Sequence, residues 1–201
     1  MSLDDLLEKN RQWAAAQLAR DPEFFERLAR GQHPRLLWIG CSDSRVPAEE
    51  VVGCGPGELF VHRNVANIVA YNDVNISSVL EFALRALKVP DIVVCGHTGC
   101  GGIKAACASR LPDSYLGDWL MIAARSRDQV RAALDAEGRT VDEDTFHTLV
   151  VEQNVRLQMD HLSHLAVVRR QWEETPGLPR LHGWVYDINT GLVRDVTQRD
   201  I

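Results

Sequence analysis

Two short apolar runs dominate the pattern of the chain: Leu36-Leu37-Trp38-Ile39 between Pro34 and Gly40, and Ile92-Val93-Val94-Cys95 after Pro90. Neither alternates with polar residues, so each predicts a strand buried on both faces. A further strand is expected over Glu58 to His62, following the turn cluster Gly53-Cys54-Gly55-Pro56-Gly57. Between the strands, Ile76, Val79, Leu80, Ala83, Ala86 and Leu87 recur at helical spacing and predict a helix from Asp73 to Lys88. Helix followed by buried strand is the mark of a parallel α/β sheet.

The two ends of the chain read differently. Leu3, Leu6, Leu7, Trp13, Ala14 and Leu18 predict an N-terminal helix, and Asp21-Pro22 opens a second, short one through Phe25, Leu28 and Ala29, stopped at Gly31. From Asp142 to about Glu174 the pattern is helical again, over a length that predicts two helices or a kink. Leu181 to Ile188 reads as a strand, and Asn189-Thr190-Gly191 turns the chain into Leu192 to Val196, an antiparallel hairpin at the sheet edge. The expectation is therefore an α/β fold: a central, mainly parallel β-sheet flanked by helices, with an antiparallel edge strand and a helical N-terminal arm. No repeat or Ser/Gly linker divides the chain, so residues 1–201 are expected to form a single domain, with residues 1–30 as the arm.

Composition narrows the class. With 201 residues, 45% hydrophobic and 25% charged, the chain buries enough surface to hold a core without disulfide staples, which excludes disordered, collagen-like and mini-protein readings. The net charge is −6, and no basic stripe of the kind that tracks nucleic acid is visible. Charged residues interrupt the first helix, and no apolar run reaches the length of a membrane span, so a cytoplasmic protein with neither membrane nor nucleic-acid partner is expected. There are five cysteines, at 41, 54, 95, 100 and 107. An odd count without an export signal argues for reduced thiols.

Chemistry gathers where two strands end. The first buried run continues into Cys41-Ser42-Asp43-Ser44-Arg45, and the other into Gly96-His97-Thr98-Gly99-Cys100-Gly101-Gly102. The C-terminal ends of parallel strands are where open α/β sheets place their ligands. Two thiolates and an imidazole form a soft N/S set suited to Zn²⁺, with Asp43 as a fourth, harder ligand. Glycines in the second loop allow close backbone approach, and the N–H groups of Gly101 and Gly102 at the next helix start can face an anion or thiolate. Cys54, Cys95 and Cys107 read as packing residues. A cysteine nucleophile at Cys41 is the competing chemistry, but it leaves Cys100 unexplained and spaces Arg45 too closely for a phosphate-cradling loop. His161 and His164 share a helix face without a third ligand, so they read as core or solvated residues; His62 and His182, inside strand patterns, read as hydrogen-bonded core residues.

Three segments, Leu37 to Pro47, Phe60 to Asn67 and Cys95 to Gly102, closely resemble the β-class carbonic anhydrases, and the resemblance runs from Trp13 to about Val196. It implies one zinc ion per subunit held by Cys41, His97 and Cys100, with Asp43 and Arg45 as a catalytic dyad. It also implies reversible hydration of carbon dioxide to bicarbonate and an obligate homodimer, often assembled into tetramers, on whose partner subunit the arm is expected to pack. Arg45 would hold Asp43 off the metal; released, Asp43 would close the open position. Trp38, Arg63 and Tyr186 resemble the non-catalytic bicarbonate pocket of a regulated bacterial subgroup, implying inhibition by bicarbonate and at lower pH. Two other readings remain: a catalytically silent, zinc-containing protein of the same fold that binds bicarbonate or serves in assembly, and a hydrolase of carbonyl sulfide or carbon disulfide.

Overall fold

The computed structural model describes residues 2–197. Their contacts divide into one unit ending at His33 and another beginning at Pro34.

In the first unit, α1 (Leu3–Arg20) opens on a capping box: the Ser2 hydroxyl accepts from the Asp5 N–H, and the Asp5 carboxylate accepts from the Ser2 N–H. Asp21 then turns the chain into α2 (Phe24–Ala29), and Trp13 meets Phe24 and Phe25 edge to face.

The second unit is built on five strands in the order β2-β1-β3-β4-β5. The strands are β1 (Leu36–Cys41), β2 (Leu59–Asn64), β3 (Asp91–His97), β4 (Arg180–Asp187) and β5 (Leu192–Asp195). The first four are parallel, and β5 pairs antiparallel with β4 across the Asn189–Gly191 turn. Fold class, buried central strands and edge hairpin all follow the sequence expectation.

One sheet face, carrying Leu37, Ile39, Ile92, Val94 and Val185, is packed by α5 (Gly101–Cys107), α6 (Tyr115–Ala136), α7 (Glu143–His164) and α8 (Ala166–Glu174), with α4 (Val74–Glu81) alongside. The other face, with Trp38, Val93, Cys95, Trp184 and Tyr186, carries the short α3 (Ala48–Val51). The expected break after Asp142 falls at Leu165, between α7 and α8. Two elements depart from expectation. The helix begun at Asp73 passes after Glu81 into a π-helical turn, Phe82–Ala86, before Pro90 ends it. And α6 has no counterpart in the hydrophobic pattern, because its buried face is carried by Gly117, Ala123, Ala124 and Ser126 as much as by Leu120, Val130 and Leu134. Among the described residues, no helix is long and apolar enough to cross a membrane.

Candidate metal centre

The parallel pairing of β1 with β3 sets Gly40 beside Cys95, so the two chemical loops leave the sheet side by side. Cys41 is the last residue of β1, His97 the last of β3, and Cys100 caps α5. Their ligand atoms all lie within 4.8 Å of one another, and all three residues are buried. Cys41 Sγ and Cys100 Sγ are 3.9 Å apart, against about 3.8 Å for two sulfurs each about 2.3 Å from a tetrahedral zinc.

The histidine is oriented for the same task. Because the Thr98 carbonyl can only accept, His97 Nδ1–H donates to it at 3.0 Å, which leaves Nε2 with a lone pair. That Nε2 is fully buried and has no hydrogen-bond partner, a costly arrangement for a polar atom unless a cation fills the space before it. Thr98 is itself fixed to the end of β4: its N–H reaches the Tyr186 carbonyl, its hydroxyl donates to Asp187, and the same hydroxyl accepts from the Ile188 N–H.

The two thiols divide one proton unequally. Cys41 is pulled well below the ordinary thiol range by donation from the Cys100 thiol and by His97, with further help from the backbone N–H groups of Asp43 and Ala66. Cys100 is pushed up, chiefly by its bond to Cys41 and by burial, against the N–H groups of Ile103 and Gly102. A buried pair of thiols, one of them readily ionised, is suited to a divalent cation.

Asp43 and Arg45 form the expected dyad. Arg45 donates to Asp43 through Nε at 2.9 Å and Nη2 at 2.7 Å, and its backbone N–H adds a third bond at 3.0 Å. The guanidinium also reaches the Gly99 carbonyl at 3.2 Å, tying the first loop to the second. This bonding holds the Asp43 carboxyl well below the usual carboxylate range. Asp43 Oδ2 stands 3.8 Å from His97 Nε2, at the edge of the ligand group, and its carboxylate is turned to Arg45.

The other expected residues are placed as follows. Trp38 and Tyr186 share the second apolar cluster. Arg63, in register with Gly40, donates to the carbonyls of Cys41 at 2.8 Å and Asp43 at 2.5 Å. Gly102 N–H faces the Cys100 sulfur, whereas Gly101 has open space where a side chain would stand. Cys95 and Cys107 are buried and Cys54 is partly so. His161 is a core residue bonded to the Val69 carbonyl, His164 is solvated, and His62 is buried beside Asn64. His182, in register with Val93, is not a core residue as expected: it is only partly buried, its ring bonded to the Asp91 carboxylate at 2.8 Å.

Sequence reasoning missed the backbone contributions of Ala66, Thr98 and Gly99. The Asn64-Val65-Ala66-Asn67 segment was visible as a motif, but although Asn67 is of a type that favours left-handed backbone, nothing announces that conformation at Ala66.

Residues 36–193 match the family model described as carbonic anhydrase. The carbonic anhydrase of Emericella nidulans is 42% identical over 193 residues, spanning 96% of this chain and 82% of that protein. Among solved structures, a β-carbonic anhydrase of the ascomycete Sordaria macrospora, one of two described as tetrameric, superposes with a TM-score of 0.89 at 37% identity, covering 96% of this chain and 95% of the other. The Coccomyxa β-carbonic anhydrase in complex with acetazolamide gives 0.88 at 36% identity, over 96% and 86%.

Proposed function

Because the chain belongs to the β-class carbonic anhydrase family, we propose that it hydrates carbon dioxide reversibly with one zinc ion per subunit, held by Cys41, His97 and Cys100. The observation that carries the zinc assignment is the buried, partnerless His97 Nε2 aimed between two sulfurs 3.9 Å apart. Zinc bound there supplies Lewis acidity and makes a water molecule acidic enough to attack carbon dioxide.

The protein's own residues do the rest. Thr98, anchored to β4, fixes the His97 tautomer so that Nε2 is an acceptor. Arg45 keeps Asp43 ionised and turned away from the ligands, so Asp43 is a pure acceptor that can orient the proton of the reacting water. The three residues that would hold the ion are buried, which limits the access of bulk water to it. Two thiolates neutralise the ion's formal charge, so the acidification is weaker than with three imidazoles and activity favours alkaline pH.

Regulation belongs to the same reading. The space beside Gly40 is filled by the Trp38 indole nitrogen, 2.3 Å from where a Cβ would stand, with Arg63 opposite in register and Tyr186 in the same apolar cluster. An indole N–H, a guanidinium and a phenol suit a small planar anion such as bicarbonate. Arg63 now grips the Cys41 and Asp43 carbonyls; drawn onto bicarbonate, it would release the backbone that presents Asp43 to Arg45. Inhibition by bicarbonate and at lower pH would follow. The arm supports a homodimer, further assembled into tetramers, because α1 leaves Leu3, Leu6, Leu7, Trp13 and Leu18 exposed, an apolar set that a partner subunit can cover.

Stopped-flow hydration of carbon dioxide on metal-analysed protein tests the central reading. Stoichiometric zinc and turnover are expected for the parent chain, and loss of both for Cys41→Ala. Parent protein without stoichiometric zinc, or turnover that survives Cys41→Ala, would overturn it.

A further inference from the structure

Beside the ligands, a stretch of backbone adopts conformations that its residues resist. Ala66 (φ 66°, ψ 26°) and Asn67 (φ 47°) are both left-handed; asparagine enters that region readily, whereas alanine does so only when its surroundings force it. The forcing groups come from helices distant in sequence. Asn154 Nδ2 donates to the Ala66 carbonyl at 3.0 Å, and Gln158 Oε1 accepts from the Val69 N–H at 2.8 Å. Gln158 Nε2 closes the ladder by donating to Asn154 Oδ1 at 2.9 Å. One turn further on, His161 Nδ1–H donates to the Val69 carbonyl at 2.8 Å, and from α6 the Trp119 indole donates to the Val65 carbonyl at 2.8 Å.

Asn154, Gln158 and His161 lie four and three residues apart, on one stripe of α7, with exposures of 1%, 0% and 6%. A core stripe is ordinarily apolar; polar side chains are stable there only when their hydrogen bonds are made. Here those bonds all go to one short loop or to each other.

That loop touches both cysteine-bearing segments. The Ser42 N–H, next to Cys41, reaches the Asn64 carbonyl at 2.9 Å, and the Ala66 N–H helps to lower the Cys41 thiol. On the other side, a side chain at Gly102, at the start of α5, would meet Val65 Cγ1 at 2.9 Å and the Ala66 Cβ at 3.1 Å. The loop therefore packs directly onto the helix that Cys100 caps.

We propose that Asn154 and Gln158 are positioning residues of the metal centre: by holding the left-handed turn at Ala66 they fix the loop that grips the Cys41 segment through Asn64 and packs on the start of the helix that Cys100 caps, and so keep the two sulfurs where the ion requires them. The proposal rests on the zinc reading above. Groups that orient metal ligands from behind typically change metal affinity by about 10- to 100-fold when removed, whereas a loop anchor unconnected to the ion alters stability alone.

The test compares Asn154→Leu, which keeps bulk and deletes both amide bonds, with Val150→Ala, a cavity at a fully buried position of the same helix that makes no bond to the loop. Three quantities are read: zinc affinity by competition with a chromophoric chelator, the sulfur-to-metal charge-transfer band of the cobalt-substituted protein, and the thermal midpoint. Asn154→Leu is expected to weaken zinc binding about 10- to 100-fold and to shift the cobalt band. Val150→Ala should lose thermal stability with affinity and band unchanged. Trp119→Phe, which frees the Val65 carbonyl from a partly exposed position, should move affinity and band in the same direction by less, and it decides the matter if Asn154→Leu does not fold. Wild-type affinity and an unshifted band in the folded variants would overturn the proposal. A parent protein that takes up neither zinc nor cobalt would instead overturn the zinc reading beneath it.

Discussion

Adding one methyl group at Gly96 should force α7 away from the sheet. Gly96 lies inside β3, paired with Val185 of β4 and followed directly by His97. A Cβ there would stand 2.8 Å from Val155 Cγ2 and 3.1 Å from Val151 Cγ1, where ordinary carbon contacts begin near 3.5 Å. Neither valine can turn aside: both are buried to within 2%, and a β-branched side chain on a helix has one favoured rotamer. The helix must therefore yield by roughly 0.5 Å, and overpacking of this kind costs about 1–3 kcal/mol. For a chain of this size that is a fall in midpoint of roughly 2–10 °C. Val155→Ala alone, which empties the space, should cost on the order of 1–3 kcal/mol as a cavity. The double variant Gly96→Ala/Val155→Ala should be more stable than the sum of the two predicts, with a coupling of about 1–2 kcal/mol. The assay is a denaturant-unfolding cycle of four proteins at one fixed zinc excess, so that ligand linkage is equal throughout. A strictly additive cycle, or a Gly96→Ala protein as stable as its parent, would refute the steric argument.

Other consequences are as specific. Arg45→Ala removes the guanidinium bonds that orient Asp43 without removing a ligand, so kcat/KM for carbon dioxide hydration should fall by about 100-fold while zinc content is unchanged; loss of the zinc would show that Arg45 acts on the metal site itself. The Asp91 carboxyl lies below its ordinary range because Arg180 donates two bonds to it, with His182 adding a third. A depressed carboxyl stabilises the fold above its unfolded value, near pH 4, and loses that contribution as the pH falls through its folded value. Asp91→Asn should accordingly unfold at lower urea than the parent at pH 7, with the gap narrowing below about pH 4; a gap that stays constant to pH 3 counts against the pairing. Burial pushes the Cys95 thiol up to about 12, so mass spectrometry after alkylation of native protein at pH 8 should find Cys54 modified before Cys95, and the reverse order would contradict the assigned burial.

What the sequence disclosed depended on where each signal was stored. The central strands were legible because burial on both faces leaves an unbroken apolar run, as in Ile92 to Cys95, and the ligands because Cys41, His97 and Cys100 stand at the ends of such runs. The pairing of Asp43 with Arg45 came from the family resemblance, and the structure shows why it is local: the two residues are two positions apart and bond directly. The left-handed turn at Ala66 was not legible. Its residues lack the glycine that would advertise it, and the amides that impose it, Asn154 and Gln158, arrive from nearly ninety positions away. Helix α6 escaped because small residues let it lie close to its neighbours, and close approach leaves no stripe of large side chains to read. The role of Arg63 also needed coordinates: a sequence shows a guanidinium, but only the register with Gly40 brings it to the Cys41 and Asp43 carbonyls.

The strand order has a dynamic consequence. β1 and β3 are neighbours in the interior of the sheet, each flanked on both sides by a parallel partner. Amides in such positions exchange with solvent only through the largest, cooperative openings, whereas edge segments such as β5 exchange through local fraying. Cys41 and His97, which end those inner strands, therefore share their fate. On the proposed zinc reading, loss of the ion from Cys41 and His97 should be slow and coupled to the same rare openings that deuterate Trp38 and Val93, so the lifetime of the metal becomes a reporter of how often the middle of the sheet comes apart.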